Sequence, residues 1–478
     1  MNPILLIAVP LLAALLAVFL KKIDRVLLVA AVVFNVACAV MIASQYVQPQ
    51  TIIIGGFKPP FGISLVLDGY ALSGILLLNI IFALIILMAF RQTGRLAVVL
   101  AIALAALNGM VLTGDLFNLF VFMEIAAIAA YIITTANKDI RHTFNYLVLG
   151  SLGSGLILLA IVLLYNVFGV LNMNDIQNKI ASASGSVQSA LILPLVLLFA
   201  GLAIETKLIP FGGWVKGILY QANPLTGSMI VSAYSLTALL VFGRLFGDLF
   251  QLSGGLLTSF TAIAAATLIL AEAAAFSRQS LREILLFSSI AQSGLVALLF
   301  MNHLMLPAVL VLVSNVVSKL VLFTIASQLA EDCGTDETAR LNGVFSRYPL
   351  LGVGFTVASM SLIGMPLFFG FTAKLTALIA LFDSGNLVLP IMILLMAVVE
   401  GTYFIRMLNS LWHAGQEGEI SAKDKLARFP AVRQNATVIT SLLIAVLIVF
   451  AGFLTLGGFG STSAIDFMTF IRQSIGGM

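Results

Sequence analysis

The chain has 478 residues, 61% of them hydrophobic and 9% charged, a composition that excludes an ordinary soluble domain and makes the protein an integral membrane protein. Its net charge of +4 reflects basic residues gathered on one membrane face, so no nucleic-acid partner is expected. Only two cysteines, Cys38 and Cys333, and three scattered histidines, His142, His303 and His413, are present; they offer no zinc, iron–sulfur or haem spacing, and no cofactor is expected in this chain.

Crossing a ~30 Å hydrocarbon layer takes roughly 20 apolar residues per helix. Fourteen stretches qualify, near 3–20, 26–46, 70–90, 96–113, 116–135, 143–168, 189–206, 225–248, 255–276, 281–301, 304–329, 348–382, 387–412 and 432–457. The first, "PILLIAVPLLAALLAVFL", has no basic residue before it and Lys21–Lys22 after it, the reverse of a signal peptide's layout, and is read as a true span. The seventh, extended to about 219, and the twelfth contain Pro and Gly and read as broken helices. The chain then divides into residues 1–95 (spans one to three), 96–250, 251–412, and 413–478, the last holding a cytoplasmic loop, span fourteen and an outer tail. Loops after odd-numbered spans carry Lys21, Lys22, Arg25, Arg91, Arg95, Lys138, Arg141, Arg278, Arg282, Arg340, Arg347, Lys423, Lys425, Arg428 and Arg433, whereas the other side carries Lys58, Lys179, Arg244 and Arg472. The positive-inside rule therefore makes the odd loops cytoplasmic and places both termini outside, in a cell membrane.

Most spans are Leu, Ile, Val, Ala and Phe, a surface for lipid and for packing. An ionisable residue at mid-bilayer costs ~2.5–3.5 kcal/mol and usually faces the bundle interior, on an ion pathway. Glu124, Glu205, Lys207, Glu272, Lys319, Lys374 and Glu400 fall in this class. Glu124, Lys319 and Glu400 lie near span centres and read as functional. Glu272 is close to the end of its span, with Arg278 six residues on, and reads as a snorkelling or structural residue. Glu205 and Lys207 would point to opposite sides of a regular helix and so need separate partners. Glu124 is the expected partner of Lys207, because opposite charges ~4 Å apart interact by ~4 kcal/mol at an effective dielectric of 20, enough for a switchable proton carrier.

"LIPFGGW" at 208–214 and "GMPLFFGF" at 364–371 each set a proline beside a Phe–Gly pair with a lysine close by. Pro210, Gly212 and Gly213 in the first, and Pro366 and Gly370 in the second, would open the helix and free carbonyls for water or polar side chains. Paired interruptions five helices apart are the mark of a transporter built from inverted repeats, with ion sites at the breaks.

Together "LDGYALSGILL" (67–77), "TGDLFNLFVFMEI" (113–125), the Pro210–Phe211 break with Trp214, "LREILLFSSIAQSG" (281–294), "SKLVLF" (318–323) and "SLIGMPLFFGFTAK" (361–374) resemble the antiporter-like membrane subunits shared by respiratory complex I, Mrp-type sodium/proton antiporters and membrane-bound hydrogenases. The resemblance implies an all-α membrane fold of about fourteen helices, two inverted five-helix repeats (helices four to eight and nine to thirteen), and broken helices seven and twelve. It implies that Glu124 tunes a seventh-helix lysine, that Lys319 belongs to a central polar axis, and that Lys374 is the twelfth-helix residue nearest the exit. The sequence departs from that pattern at several points. Glu205 holds the slot five residues before the proline where a lysine is usual, and Lys207 stands three before it. Gly212 replaces a common histidine, Ser235 and Thr237 stand near the usual eighth-helix lysine, and Asn315 replaces a histidine four before Lys319. The added carboxylate favours a hard cation at the first break, and either Glu205 or Lys207 can be the working residue there.

The expected function is that of a proton-translocating subunit, with or without sodium exchange, in a multisubunit membrane complex and in contact with lipid. The expected route runs from the Glu124–Lys207 pair through Lys319 to Lys374 and Glu400. The alternatives are a non-transporting scaffold for a redox or hydrogenase module and an independent solute transporter; buried lysines argue against the first and the order of motifs against the second.

Overall fold

The computed structural model describes residues 1–57, 62–136, 140–181, 185–413 and 434–457. The basic loop residues Lys423, Lys425, Arg428 and Arg433, with Lys58, Lys138 and the tail residue Arg472, lie outside the described residues. The main helices are α1 (Leu5–Phe19), α2 (Asp24–Ser44), α3 (Gly69–Met88), α4 (Ala97–Leu112), α5 (Leu116–Thr134), α6 (Ile140–Phe168), α7 (Met173–Ala181), α8 (Gly185–Glu205) and α9 (Trp214–Tyr220). There follow α10 (Pro224–Leu249) and then α11 (Gly254–Ser277), α12 (Leu281–Met301), α13 (Met305–Cys333), α14 (Pro349–Ile363), α15 (Phe369–Asp383), α16 (Val388–Trp412) and α17 (Gln434–Gly457). Among the described residues, eleven helices are long and apolar enough to cross a membrane, and three shorter apolar ones, Leu5–Phe19, Ser189–Glu205 and Pro349–Ile363, accompany them.

One element departs from the all-helical expectation. Gln50–Ile53 (β1) pairs antiparallel with Ser64–Leu67 (β2), Gln50 opposite Leu67. The hairpin is tied to the helices: Ser64 O accepts from Gly114 N at 2.9 Å, and Asn172 Nδ2 donates to Ser64 Oγ at 2.8 Å. Alternating "ISLVL" after a Gly pair is the local signal for it.

The motifs that stood out in sequence start helices. Asp68, Asp115, Asn223 and Ser280 each accept a hydrogen bond from the backbone N–H three residues on, capping α3, α5, α10 and α12; such caps contribute ~1 kcal/mol each. Asp68 also takes the Arg244 guanidinium, Nη1 to Oδ2 at 2.5 Å, binding α3 to α10.

Burial separates the helices into two sets. α10 and α12 are 94% buried and α13 is 89% buried, while α2, α5, α6, α11 and α16 have under half of their residues buried. Helices that are apolar all round differ only in what they touch, so the three central helices are recognised by their small and polar residues: Ser232, Ser235 and Thr237 on α10, Ser288, Ser289, Gln292 and Ser293 on α12, Asn315, Ser318 and Lys319 on α13. α10 also contains two π-helical stretches, Met229–Tyr234 and Gly243–Leu249, a local widening that is frequent at functional sites.

Candidate functional site

The first break begins where α8 stops at Glu205. Lys207 N bonds Ile204 O at 3.3 Å and Leu208 N bonds Ala203 O at 2.9 Å, the double closure of a Schellman motif, whose pivot takes a left-handed conformation. That pivot is Lys207, at φ 66°, a conformation costing an L-residue with a Cβ about 1–2 kcal/mol. The chain then passes Pro210 and a single turn at Phe211–Gly213 before α9. Gly212 is required here, because a Cβ would lie 2.5 Å from Lys207 O. Other freed groups are satisfied: Trp214 Nε1 donates to Ile204 O at 3.0 Å, and Ile209 N donates to Thr267 Oγ1 at 3.0 Å.

Reversal of backbone hand sends the Lys207 side chain off the helix. It is 1% exposed, and its Nζ donates to Ser235 Oγ on α10 and, at 3.3 Å, to Ser289 Oγ on α12. The expected Glu124–Lys207 contact is not made: among the described residues no carboxylate comes within 4.0 Å of Lys207 Nζ. A left-handed pivot, which helical spacing could not anticipate, is the reason. Glu124 instead lies within Coulombic reach of Glu205, and its Oε1 is buried without a hydrogen-bond partner. Around these two acids stand Tyr131, Tyr146 and Tyr234. A cavity of about 30 Å³ lined by Glu205, Lys207, Tyr146, Trp214, Tyr234 and Ser235 is large enough for one water molecule. Tyr146 stacks on Trp214 at 4.0 Å, and beyond Trp214 a groove of about 300 Å³ runs past His142, Asn145, Gly213 and Gly217.

The second break repeats the closure. Gly364 N bonds Ser361 O at 3.1 Å and Met365 N bonds Met360 O at 3.0 Å, with Gly364 left-handed at φ 85°. Gly364 thus stands where Lys207 stands in the first. Pro366 lies in the open stretch between α14 and α15, and Gly370 lets the chain return against α14, since a Cβ there would be 1.8 Å from Ser361 O. Lys374 closes the gap from the other side. Its Nζ donates to Leu362 O at 2.5 Å and Ile363 O at 3.4 Å and pairs with Glu400 Oε2 at 2.5 Å. Cations are favoured at a helix C-terminus, and Glu400, 1% exposed, is held further by Gln292 Nε2 at 3.0 Å.

Lys319 is fully buried. Its Nζ donates to Ser288 Oγ at 2.5 Å and Leu285 O at 3.3 Å and lies 5.5 Å from the Phe404 ring. Ser288 and Ser289 are neighbours on α12, so the lysines of α8's break and of α13 meet the same helix at successive residues. Neither serine was singled out from sequence; the signal was two adjacent hydroxyls with Gln292 and Ser293 in an otherwise apolar span. Glu272 corrects another expectation. It is 1% exposed, and Arg278 engages Glu283 instead, at 3.7 Å, because α11 ends between them and turns Arg278 away.

Residues 113–400 match the family described as NADH:quinone oxidoreductase/Mrp antiporter, TM. The chain is 28% identical to NADH-quinone oxidoreductase subunit N of Desulforudis audaxviator (strain MP104C), over 96% of this chain and 95% of that one. It is also 28% identical to an Na(+)/H(+) antiporter subunit of Bacillus subtilis (strain 168), over 87% of each. Among solved structures, it superposes with TM-score 0.85 and 28% identity on a chain of the membrane-bound sulfane sulfur reductase, an archaeal respiratory membrane complex, covering 95% of both chains.

Proposed function

Since the chain belongs to the NADH:quinone oxidoreductase/Mrp antiporter transmembrane family, we propose that it is a proton-translocating, antiporter-like subunit of a multisubunit membrane complex, with sodium as the counter-ion where exchange occurs. The proposal includes fourteen spans, the fourth to thirteenth of them in two inverted five-helix repeats, 96–250 and 251–412, and both termini outside. No cofactor and no covalent chemistry of its own is assigned to it.

The observation that carries this reading is the approach of two buried lysines, Lys207 and Lys319, to adjacent serines of the buried helix α12. A lysine stores a proton and a hydroxyl relays one, and intramembrane lysines facing a bundle interior mark ion pathways. In this reading the Glu124–Lys207 pair is open and the Lys374–Glu400 pair closed; moving Lys207 toward Glu124 would be coupled to release of Lys374. Glu205 is the carboxylate that receives a cation at the first break.

The test is ion-gradient-driven proton movement in vesicles bearing the assembled complex. Lys207→Ala, Lys319→Ala, Lys374→Ala and Glu124→Ala are each expected to abolish coupled movement with assembly intact, and parental transport in Lys319→Ala, or in the other three together, would sink the reading. The replacement of the eighth-helix lysine by Ser235 favours the scaffold as the second reading, for which the parent complex itself would move no ions.

A further inference from the structure

Glu272 is a buried acid that the route above leaves idle. α11, which carries it, packs chiefly on α12 and α16, and those helices bring it a defined set of neighbours. Its charged surroundings are Glu400, Lys374 and Lys319. Tyr403 of α16, fully buried, points its hydroxyl among Ser288, Glu272 and Glu400. The Tyr403 hydroxyl lies within hydrogen-bonding reach of both Glu272 and Ser288, and the Glu272 Oε2 is buried. A structural ion pair does not account for this, because Lys374, the obvious base, is already committed to Glu400 and to two carbonyls of the second break. Burying an acid without a base of its own carries a penalty that a merely structural acid has no reason to bear.

We propose that Glu272 is a proton-accepting site for Lys319, reached across the hydroxyls of Ser288 and Tyr403, so that the proton leaving Lys319 passes by way of α11 on its path toward Lys374. The inference rests on the reading of the chain as a proton-translocating subunit. In the transfer a Lys319 Nζ–H bond breaks and a Glu272 carboxyl O–H bond forms, while each hydroxyl between them passes one proton on as it takes one up. With Lys374 and Glu400 held as a pair, the four groups carry no net charge before the step, when Lys319 is an ammonium and Glu272 a carboxylate, and none after it, when both are neutral. A dry interior that would resist net charge therefore does not resist this movement. Protonated Glu272 also becomes a donor and can return a hydrogen bond to the Tyr403 oxygen.

The experiment uses the assembled complex in vesicles with a pH-sensitive dye. Glu272→Gln, which keeps shape and removes the acid, is expected to lower proton movement about a hundredfold, the lower end for loss of a positioned proton-transfer group. Glu272→Asp is expected to retain transport, and Tyr403→Phe to slow it. Parental transport in Glu272→Gln alongside a dead Lys319→Ala overturns this inference alone; parental transport in Lys319→Ala overturns the reading beneath it. If Glu272→Gln does not assemble, infrared difference spectra of the parent and Glu272→Asp complexes decide. A protonated-carboxyl C=O band that appears under a proton gradient and shifts in Glu272→Asp supports the site, whereas no band, or one that the substitution leaves unmoved, overturns it. A structural role for Glu272 would not move that band.

Discussion

Lys207 couples a strained backbone to a buried charge, and two substitutions separate these contributions. Lys207→Ala and Lys207→Gly both delete the ammonium and its bonds to Ser235 and Ser289, and both leave the same space, so they share the cost of losing a charged hydrogen-bonding group. They differ in a Cβ at φ 66°. The left-handed conformation penalises that Cβ by about 1–2 kcal/mol, while the greater freedom of an unfolded glycine takes back about 0.5–1 kcal/mol. The Gly variant is therefore expected to be the more stable of the two by about 0.5–1 kcal/mol, a factor of roughly two to five in the folded-to-unfolded ratio. On a regular helix the order would be the reverse by a similar amount. The measurement is reversible unfolding of the two variants in matched detergent, with proton movement in vesicles read in parallel. A more stable Ala variant would refute the left-handed pivot, and proton movement by either variant at the parental rate would refute the role of the ammonium.

Other consequences follow from contacts at the two breaks. Breaking the buried Lys374–Glu400 pair from one side leaves an uncompensated charge, so Lys374→Met or Glu400→Leu alone should lower stability by about 3–5 kcal/mol, with the double variant recovering much of it and still failing to transport; denaturant titrations of all three check this. Gly212→Ala should destabilise by about 1–3 kcal/mol, since its Cβ would meet Lys207 O at 2.5 Å and the break has to shift; thermal unfolding would show it. Ser288→Ala and Ser289→Ala together should slow proton movement in vesicles while the complex assembles, and an unchanged rate would remove α12 from the route.

Most of the long apolar helices, the two interruptions and the buried charges Lys207, Lys319 and Glu400 were legible because each is a property of a short window: apolar length, a proline with glycines, or a charge in an apolar run; Asp68 and Arg282, buried at helix starts, were not. The hairpin at 50–67 was not, since four-residue strands between long spans are drowned by the hydropathy signal. Partner choice within the site was legible only in part. Lys374 with Glu400 joins two residues expected on one route, but Lys207 was assigned to Glu124 from helical geometry that fails two residues past the end of α8. Glu272 was misjudged for a related reason: distance to the span end suggested water, whereas α11's inner face is covered there by α12 and α16, and only tertiary packing records that.

The two breaks close with the same backbone hydrogen bonds yet place their lysines oppositely, and this difference bears on coupling. In the second, glycine takes the left-handed pivot and the lysine comes from beyond the gap, reaching back to the exposed carbonyls and to Glu400 on α16. In the first, the lysine is itself the pivot, its carbonyl is pressed against Gly212, and its side chain reaches Ser235 on α10 and Ser289 on α12. The ammonium at the end of α8 therefore bridges α10 and α12. The acids follow the same division: Glu124 and Glu205 stay together among tyrosines, with no lysine between them, whereas Glu272 and Glu400 face Lys319 and Lys374. In the proposed exchange, a cation arriving at the first pair would relieve the repulsion of two neighbouring acids and leave Glu124 less able to attract Lys207. Lys207 and Lys319 thus meet α12 at Ser289 and Ser288, and in the proposed route occupancy of the first site and proton movement in the second would be linked through the pivot at Lys207.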